Sequence, residues 1–335
     1  MKSDAFSFIE HCLDPAGAEA EFISSKARFT WLACGALQIT PHRSDTDLDS
    51  AIISVGVHGD EMIPVRLVDR WLHGMVAKEH AVRRPLLILL ANPDAVRAER
   101  RFVESNMNRL FSASSKEQSV GAGSGERRRA AELMELVEQF VAAHPDGVHL
   151  DLHSTIKPSD HDRFAIIPVQ CRGRDMAPLF GWLHHFATDA WVQNISPAAT
   201  FTSFSASLGY TGATIELGQV SSLDEPIDRF LPLLPEMEHL AHGPAAPVEQ
   251  VGIGYEVIDE IVRPEGAFEV CLDSFVNFRR LSKGMLIART DSEEWRVEQE
   301  GDALLFLNPS VPVGHRVALL VRPVDQMSPG HAPDR

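Results

Sequence analysis

The sequence is short of several features that would assign it to a common functional class. Its four cysteines, Cys12, Cys34, Cys171 and Cys271, are scattered with no CxxC or paired spacing. That argues against a disulfide framework or a thiolate metal site and fits reduced, buried thiols. Basic residues are also scarce: 31 Lys and Arg face 47 Asp and Glu, for a net charge of -16. Nucleic-acid binding needs clustered cations to displace counterions, so no nucleic-acid partner is expected. No apolar run approaches the roughly 18 to 20 residues that span a bilayer. The opening MKSDAFSFIEHC lacks the charged-then-apolar order of a secretory signal. The expectation is a cytoplasmic protein with no membrane partner. What is present, 44% hydrophobic residues in 335, is enough for a full core in one large domain or two unequal ones.

Two textures follow along the chain. Short apolar runs at 51–57, 86–91, 148–152, 164–168 and 213–217 alternate with helical periodicity, notably Met62 to Met75 and Glu126 to Ala143. This pattern predicts an α/β fold, a mainly parallel mixed sheet flanked by helices. After HLAHGPAAPVEQVG (239–252), Gly and Pro punctuate short alternating runs at 256–262, 268–272, 286–290, 295–298, 302–307 and 315–322. The expected organisation is an α/β domain over 1–247, a smaller C-terminal β-rich domain over 248–327, and a disordered tail over 328–335. GAGSG in the 112–126 loop follows no strand and lacks the Lys-Ser/Thr ending of a phosphate loop.

Three constellations carry chemistry. In GVHGDEMIP (56–64), His58, Asp60 and Glu61 stand where a strand hands over to a helix, and ligands of parallel α/β sheets bind at the strands' carboxyl ends. A His and a Glu suit Zn²⁺, which in catalytic sites commonly takes three protein ligands. His153 in LDLHST, at another strand end, is the best third ligand. Either acid could instead be a helix-start carboxylate favoured by the dipole. ANPDAVRAERRFVESNMNRLF (91–111) gathers Arg97, Arg100, Arg101 and Arg109. Arginine suits bidentate capture of carboxylates, and Asn108 adds a donor and an acceptor. Arg109, followed by Leu110 and Phe111, is expected to be buried with a partner. Glu216 stands inside the apolar run of TGATIELGQV (211–220). A buried carboxylate is costly unless paired, protonated or functional, and a general base is one such use; an outward-facing strand residue is the other reading.

Taken in order, VHGDE, NP followed by RRFVESNMNRLF, DLHST and IELG resemble the succinylglutamate desuccinylase/aspartoacylase family, a branch related to zinc carboxypeptidases, over most of the chain. The resemblance implies a carboxypeptidase-like α/β fold with one Zn²⁺ held by His58, Glu61 and His153. It also implies Glu216 as proton shuttle, Arg101 assisting at the carbonyl, and Asn108 and Arg109 binding substrate, with Lys157 a further candidate for a carboxylate. The implied reaction is hydrolysis of the small molecule N-succinyl-L-glutamate to succinate and L-glutamate, closing the succinyltransferase route of arginine catabolism. Deacylation of another N-acyl amino acid, such as N-acetylaspartate, and non-catalytic metal or carboxylate binding are the competing readings. The chain departs from its relatives in two places. Asn106 stands where an Asp is usual, which removes a negative charge beside the arginines, and QVSSLDEP after IELG lacks the usual basic residue.

Overall fold

The computed structural model describes residues 6–14, 20–45, 48–118, 125–248, 251–272 and 274–324. Fifteen strands are present among them: β1 (Glu21–Ile23), β2 (Ala27–Ala33), β3 (Ala36–Pro41), β4 (Ser50–Val55), β5 (Leu86–Leu90), β6 (Gly147–Thr155), β7 (Phe164–Ile167), β8 (Ala190–Gln193), β9 (Thr211–Gln219), β10 (Ile253–Val262), β11 (Glu269–Val270), β12 (Leu286–Arg289), β13 (Glu294–Arg296), β14 (Ala303–Leu305) and β15 (Arg316–Pro323). Twelve of them form one sheet in the order β1-β2-β3-β5-β4-β6-β9-β7-β8-β10-β15-β14.

The centre of that sheet is parallel. β5, β4, β6 and β9 run side by side in one direction, so their carboxyl ends open on one edge. Each residue of β4 and β5 is buried, which is why these strands read as unbroken apolar runs rather than as alternation. One face packs Ile53, Val55, Leu150 and Leu152 against Leu67, Val68 and Trp71 of the helix Met62–Ala77. The other packs Ile52 and Leu87 against Leu133, Val137 and Phe140 of the helix Gly125–Ala143. The α/β architecture is thus as expected. The flanks add what the apolar runs do not indicate: β1, β2 and β3 form an antiparallel meander on one edge, and β7 meets β9 antiparallel.

The C-terminal segment does not hang apart from this sheet. β10 pairs in parallel with β8, from Ile253 opposite Ala190 to Glu256 opposite Gln193, and in antiparallel with β15. Phe164, Val192, Tyr255, Phe278, Leu305 and Leu319 share a core across that join. β11, β12 and β13 make a separate small sheet. Residues 249 and 250, beside the expected domain boundary, and the tail 328–335 lie outside the described residues.

Candidate active site

The turn after β4 owes its shape to two glycines. Gly56 has a φ of +63°, open to glycine at little cost. At Gly59 a Cβ would lie 2.1 Å from the Ala95 carbonyl carbon and 2.3 Å from the Val96 amide nitrogen, so the short helix Pro93–Arg97 after β5 presses directly on the turn. Gly59→Ala is expected to destabilise the fold by about 1–3 kcal/mol through overpacking. Chemical denaturation measures it, and an unchanged midpoint would refute that contact. The turn leads into the helix Met62–Ala77 with Glu61 at its N-cap, where the side chain makes no capping bond. That carboxylate turns instead toward two histidines. Asp60, the other candidate, has a buried Oδ1 with no hydrogen-bond partner.

His58, Glu61 and His153 are all buried, and their donor atoms lie within 4.8 Å of one another. The two oxygens of Glu61 divide between the rings: His58 Nδ1 is 2.7 Å from Oε1 and His153 Nδ1 is 2.8 Å from Oε2. The Ser154 amide also donates to Oε2, at 3.2 Å. The opposite ring nitrogens point outward to oxygen acceptors. His153 Nε2 donates to Asp151 Oδ2 at 2.8 Å, and His58 Nε2 to Asn106 Oδ1 at 3.1 Å. The Asn106 amide is oriented by the backbone N–H of Asn108, which donates to the same Oδ1. Each outer bond fixes a ring tautomer with Nδ1 free to ligate, the arrangement that supports metal-bound histidine.

Charge follows from these contacts. Burial lowers the pKa of His58, against the pull of Glu61. For Glu61 burial alone would raise the pKa, but His58 and His153 outweigh it and hold the carboxyl well below its usual range. His153 is the reverse case: burial alone would lower its pKa, but Asp151 and Glu61 outweigh it and lift the ring well above the ordinary histidine value. Two nitrogen donors and one carboxylate, convergent and buried, fit a divalent cation of the zinc type.

Behind His153 runs a buried polar chain. Residues 149, 151 and 153 alternate onto one face of β6. Ser54 of β4 donates to Asp151 Oδ1 and lies 2.8 Å from His149 Nε2, and His149 Nδ1 is 2.8 Å from the Ser205 hydroxyl. Burial pushes the His149 pKa down to about 4, against Asp151, so this ring is neutral at pH 7. Asp151→Asn removes the carboxylate that orients and polarises His153. It is expected to weaken metal binding by about 10–100-fold. Competition with a chelating dye reads this directly, and wild-type affinity in the variant would exclude the role.

Glu216 on β9 stands opposite His153 in the parallel register. It is buried, and its Oε2 has no hydrogen-bond partner. Burial, and next to it the charge of Glu61, pushes its pKa up to about 7. The reading of Glu216 as an outward-facing residue is therefore set aside. A cavity of about 470 Å³ brings together His58, His153, Glu216, Arg101, Asn108 and Arg109. Arg101 Nη1 donates to Glu61 Oε1 at 3.0 Å. Asn108 accepts the Phe201 amide on its Oδ1 at 3.2 Å, leaving its NH₂ as the group free to donate.

One sequence expectation needs correcting here. Arg109 is exposed and lines the cavity, and among the described residues its guanidinium donates only to the Asn108 carbonyl, at 2.6 Å. The short 3₁₀ turn Met107–Arg109 buries Met107 and Asn108 instead. Asn106, which stands where an Asp is usual, turns its carbonyl to His58.

One family model, the Succinylglutamate desuccinylase/Aspartoacylase catalytic domain, matches residues 47–234, and a second, the AstE/AspA barrel-sandwich hybrid domain, matches 253–324. The chain belongs to the succinylglutamate desuccinylase/aspartoacylase family. Within that family it is 29% identical over 310 residues to the succinylglutamate desuccinylase of Yersinia enterocolitica, covering 90% of this chain and 92% of that protein. It is 31% identical over 301 residues to that of Yersinia pestis strain Pestoides F, covering 88% and 89%. The solved succinylglutamate desuccinylase of Vibrio cholerae superposes with a TM-score of 0.85 at 29% identity, over 97% of each chain.

Lys157 remains outside this constellation. It is exposed on the loop after β6 and does not line the cavity. The quoted family motifs also do not reach Ser54 or His149, and DLHST begins at Asp151 without giving it a role. Their signal in the sequence is alternation: two polar residues at even spacing before His153, inside an otherwise apolar run.

Proposed function

We propose that this chain is a zinc-dependent amide hydrolase that cleaves N-succinyl-L-glutamate to succinate and L-glutamate, the closing step of the arginine succinyltransferase route, in the cytoplasm. One observation carries the reading: a buried carboxylate with an unpartnered oxygen, Glu216, shares a cavity with two of the three convergent metal donors, His58 and His153, and with Arg101, Asn108 and Arg109. The division of labour would follow the expected domains, a catalytic α/β part over 1–247 and a β-rich part over 248–327.

His58, Glu61 and His153 would hold the Zn²⁺, which when bound would supply Lewis acidity at the amide carbonyl and lower the pKa of water. Glu216 takes the proton of the attacking water on its free oxygen and delivers it to the departing amine nitrogen, which becomes the amino group of glutamate. Arg101, whose guanidinium already reaches Glu61, offers positive charge to the oxygen of the former carbonyl. Asn108 NH₂ and the Arg109 guanidinium bind a substrate carboxylate. A substrate with three carboxylates also explains why cations are concentrated around one cavity of an acidic protein.

Amine release from a panel of N-acyl amino acids, with zinc and with chelator, tests the reading. The expected result is the highest kcat/KM on N-succinyl-L-glutamate. Preference for N-acetyl-L-aspartate would move the assignment to an aspartoacylase, and no release from any member would leave a binding protein.

A further inference from the structure

The buried polar chain behind His153 has a direction that its contacts fix. Ser54 has one hydroxyl proton, and it goes to Asp151 Oδ1. The other oxygen of that carboxylate takes the N–H of His153, so Asp151 accepts on both sides. Toward His149, whose Nε2 lies 2.8 Å away, the Ser54 oxygen can then only accept. A bare Nε2 there would set two lone pairs against each other with no proton between them. Burial pushes the His149 pKa down to about 4, so the neutral ring has a single proton to place. It belongs on Nε2, which leaves Nδ1 as an acceptor. The Ser205 hydroxyl has two acceptors in reach, His149 Nδ1 at 2.8 Å and the Thr202 carbonyl at 3.1 Å. Donation to the ring completes the order. The protons then point one way, from Ser205 to His149, to Ser54, to Asp151.

Packing alone does not call for a histidine at this position. Residue 149 is fully buried on β6 and stands edge-on to Phe201, with ring centroids 4.9 Å apart. An apolar side chain would fill that space without polar atoms to satisfy. What the imidazole adds is control of a rotor. A serine hydroxyl can turn its proton elsewhere, but a donor held on its lone-pair side leaves Asp151 as the place for that proton, and bonds in series strengthen one another. The helix Phe201–Ser207 that carries Ser205 also donates its Phe201 amide to Asn108 in the cavity. One short helix thus braces the metal donors and a cavity side chain together.

We infer that His149 is a positioning residue of the metal centre: held as the Nε2–H tautomer by Ser205, it locks the Ser54 hydroxyl onto Asp151 and so fixes the His153 ring with Nδ1 toward the metal. The inference rests on the metal-dependent reading above and is independent of which N-acyl amino acid is cleaved.

Two substitutions in the full chain separate the ring nitrogens. The amide of His149→Gln can place an N–H where Nε2–H stands, whereas the shorter His149→Asn reaches only the position of Nδ1. Zn²⁺ affinity is read by competition with a chelating dye. His149→Asn is expected to bind about tenfold more weakly than wild type, the low end for residues that orient a ligand from outside, and His149→Gln within about threefold of wild type. Equal weakening in both variants, as lost packing would give, overturns the inference. Wild-type affinity in His149→Asn overturns it too. In an Asp151→Asn background the difference between the two variants should collapse to less than about twofold, because the chain has lost its end. A difference that persists there would show that His149 does not act through Asp151, and the inference falls. The tautomer is read separately, by ¹⁵N–¹H correlation of the histidine rings in the metal-free wild type, so it decides even if a variant does not fold. A His149 proton on Nε2 supports the relay, and one on Nδ1 refutes it. A wild type that binds no Zn²⁺ removes the metal reading and this inference together, whereas the other adverse results remove the inference alone.

Discussion

Replacing Glu216 with glutamine is expected to leave the metal bound and to lower kcat on N-succinyl-L-glutamate by about 10²–10⁴-fold, the usual contribution of a positioned general base. Glutamine has the same shape as glutamate and fits the same buried position on β9. The change therefore isolates proton transfer. Glu216 is not among the three convergent donors, so metal content should stay at the wild-type value. KM should change little, because nothing in the cavity geometry makes Glu216 a carboxylate anchor. A variant that turns over within a few-fold of wild type would remove Glu216 from the mechanism and send the search for a base elsewhere in the cavity. The neutral His149 is a poor substitute, since both of its ring nitrogens are occupied by serine hydroxyls.

The second large effect is expected at His153, and it should appear in two measurements at once. His153→Ala removes one of three donors, so metal binding and amine release should both fall to background. Wild type stripped by a chelator should lose its activity in the same way and regain it when zinc is restored. The variant also leaves Asp151 and Glu61, both buried, without the ring that bridges them at 2.8 Å on either side. Uncompensated buried charge of this kind costs about 3–5 kcal/mol. Denaturant unfolding of the metal-free proteins reads that cost separately from catalysis. Full amine release by the chelated wild type would exclude a metal reaction. Equal stability of the two metal-free proteins would show that the bridge contributes nothing to folding.

Much of this site is legible in the amino-acid sequence, because its residues break local rules in recognisable places. His58 and Glu61 interrupt an apolar strand at its carboxyl end, Glu216 interrupts another, and both strands are central and buried in the folded chain. The C-terminal runs are equally plain from their punctuation by Gly and Pro. Less visible is anything set by contact between distant segments. Asn106 reads as a lost charge among arginines, and only the folded chain brings its carbonyl to His58. The apolar neighbours of Arg109 point to burial, but a short 3₁₀ turn directs Met107 and Asn108 inward and leaves the guanidinium to the cavity. The wall that Glu260, Arg316 and Leu319 of β10 and β15 add to the cavity lies in alternating runs with no motif about it. Its meaning comes from the pairing of β15 with β10 and of β10 with β8.

That pairing also has a mechanical consequence. An enzyme assembled from two loosely joined lobes can admit its substrate by swinging one against the other. Here strands from both sides of the cavity, β6 and β9 on one and β10 and β15 on the other, belong to a single hydrogen-bonded sheet, with four consecutive residue pairs between β8 and β10 and a common apolar core beneath them. Rotation of the C-terminal segment would tear that ladder. The distance from Glu216 on β9 to Glu260 on β10 is therefore set by the stiffness of a sheet rather than by a closure step, so the cavity keeps a fixed width between those strands.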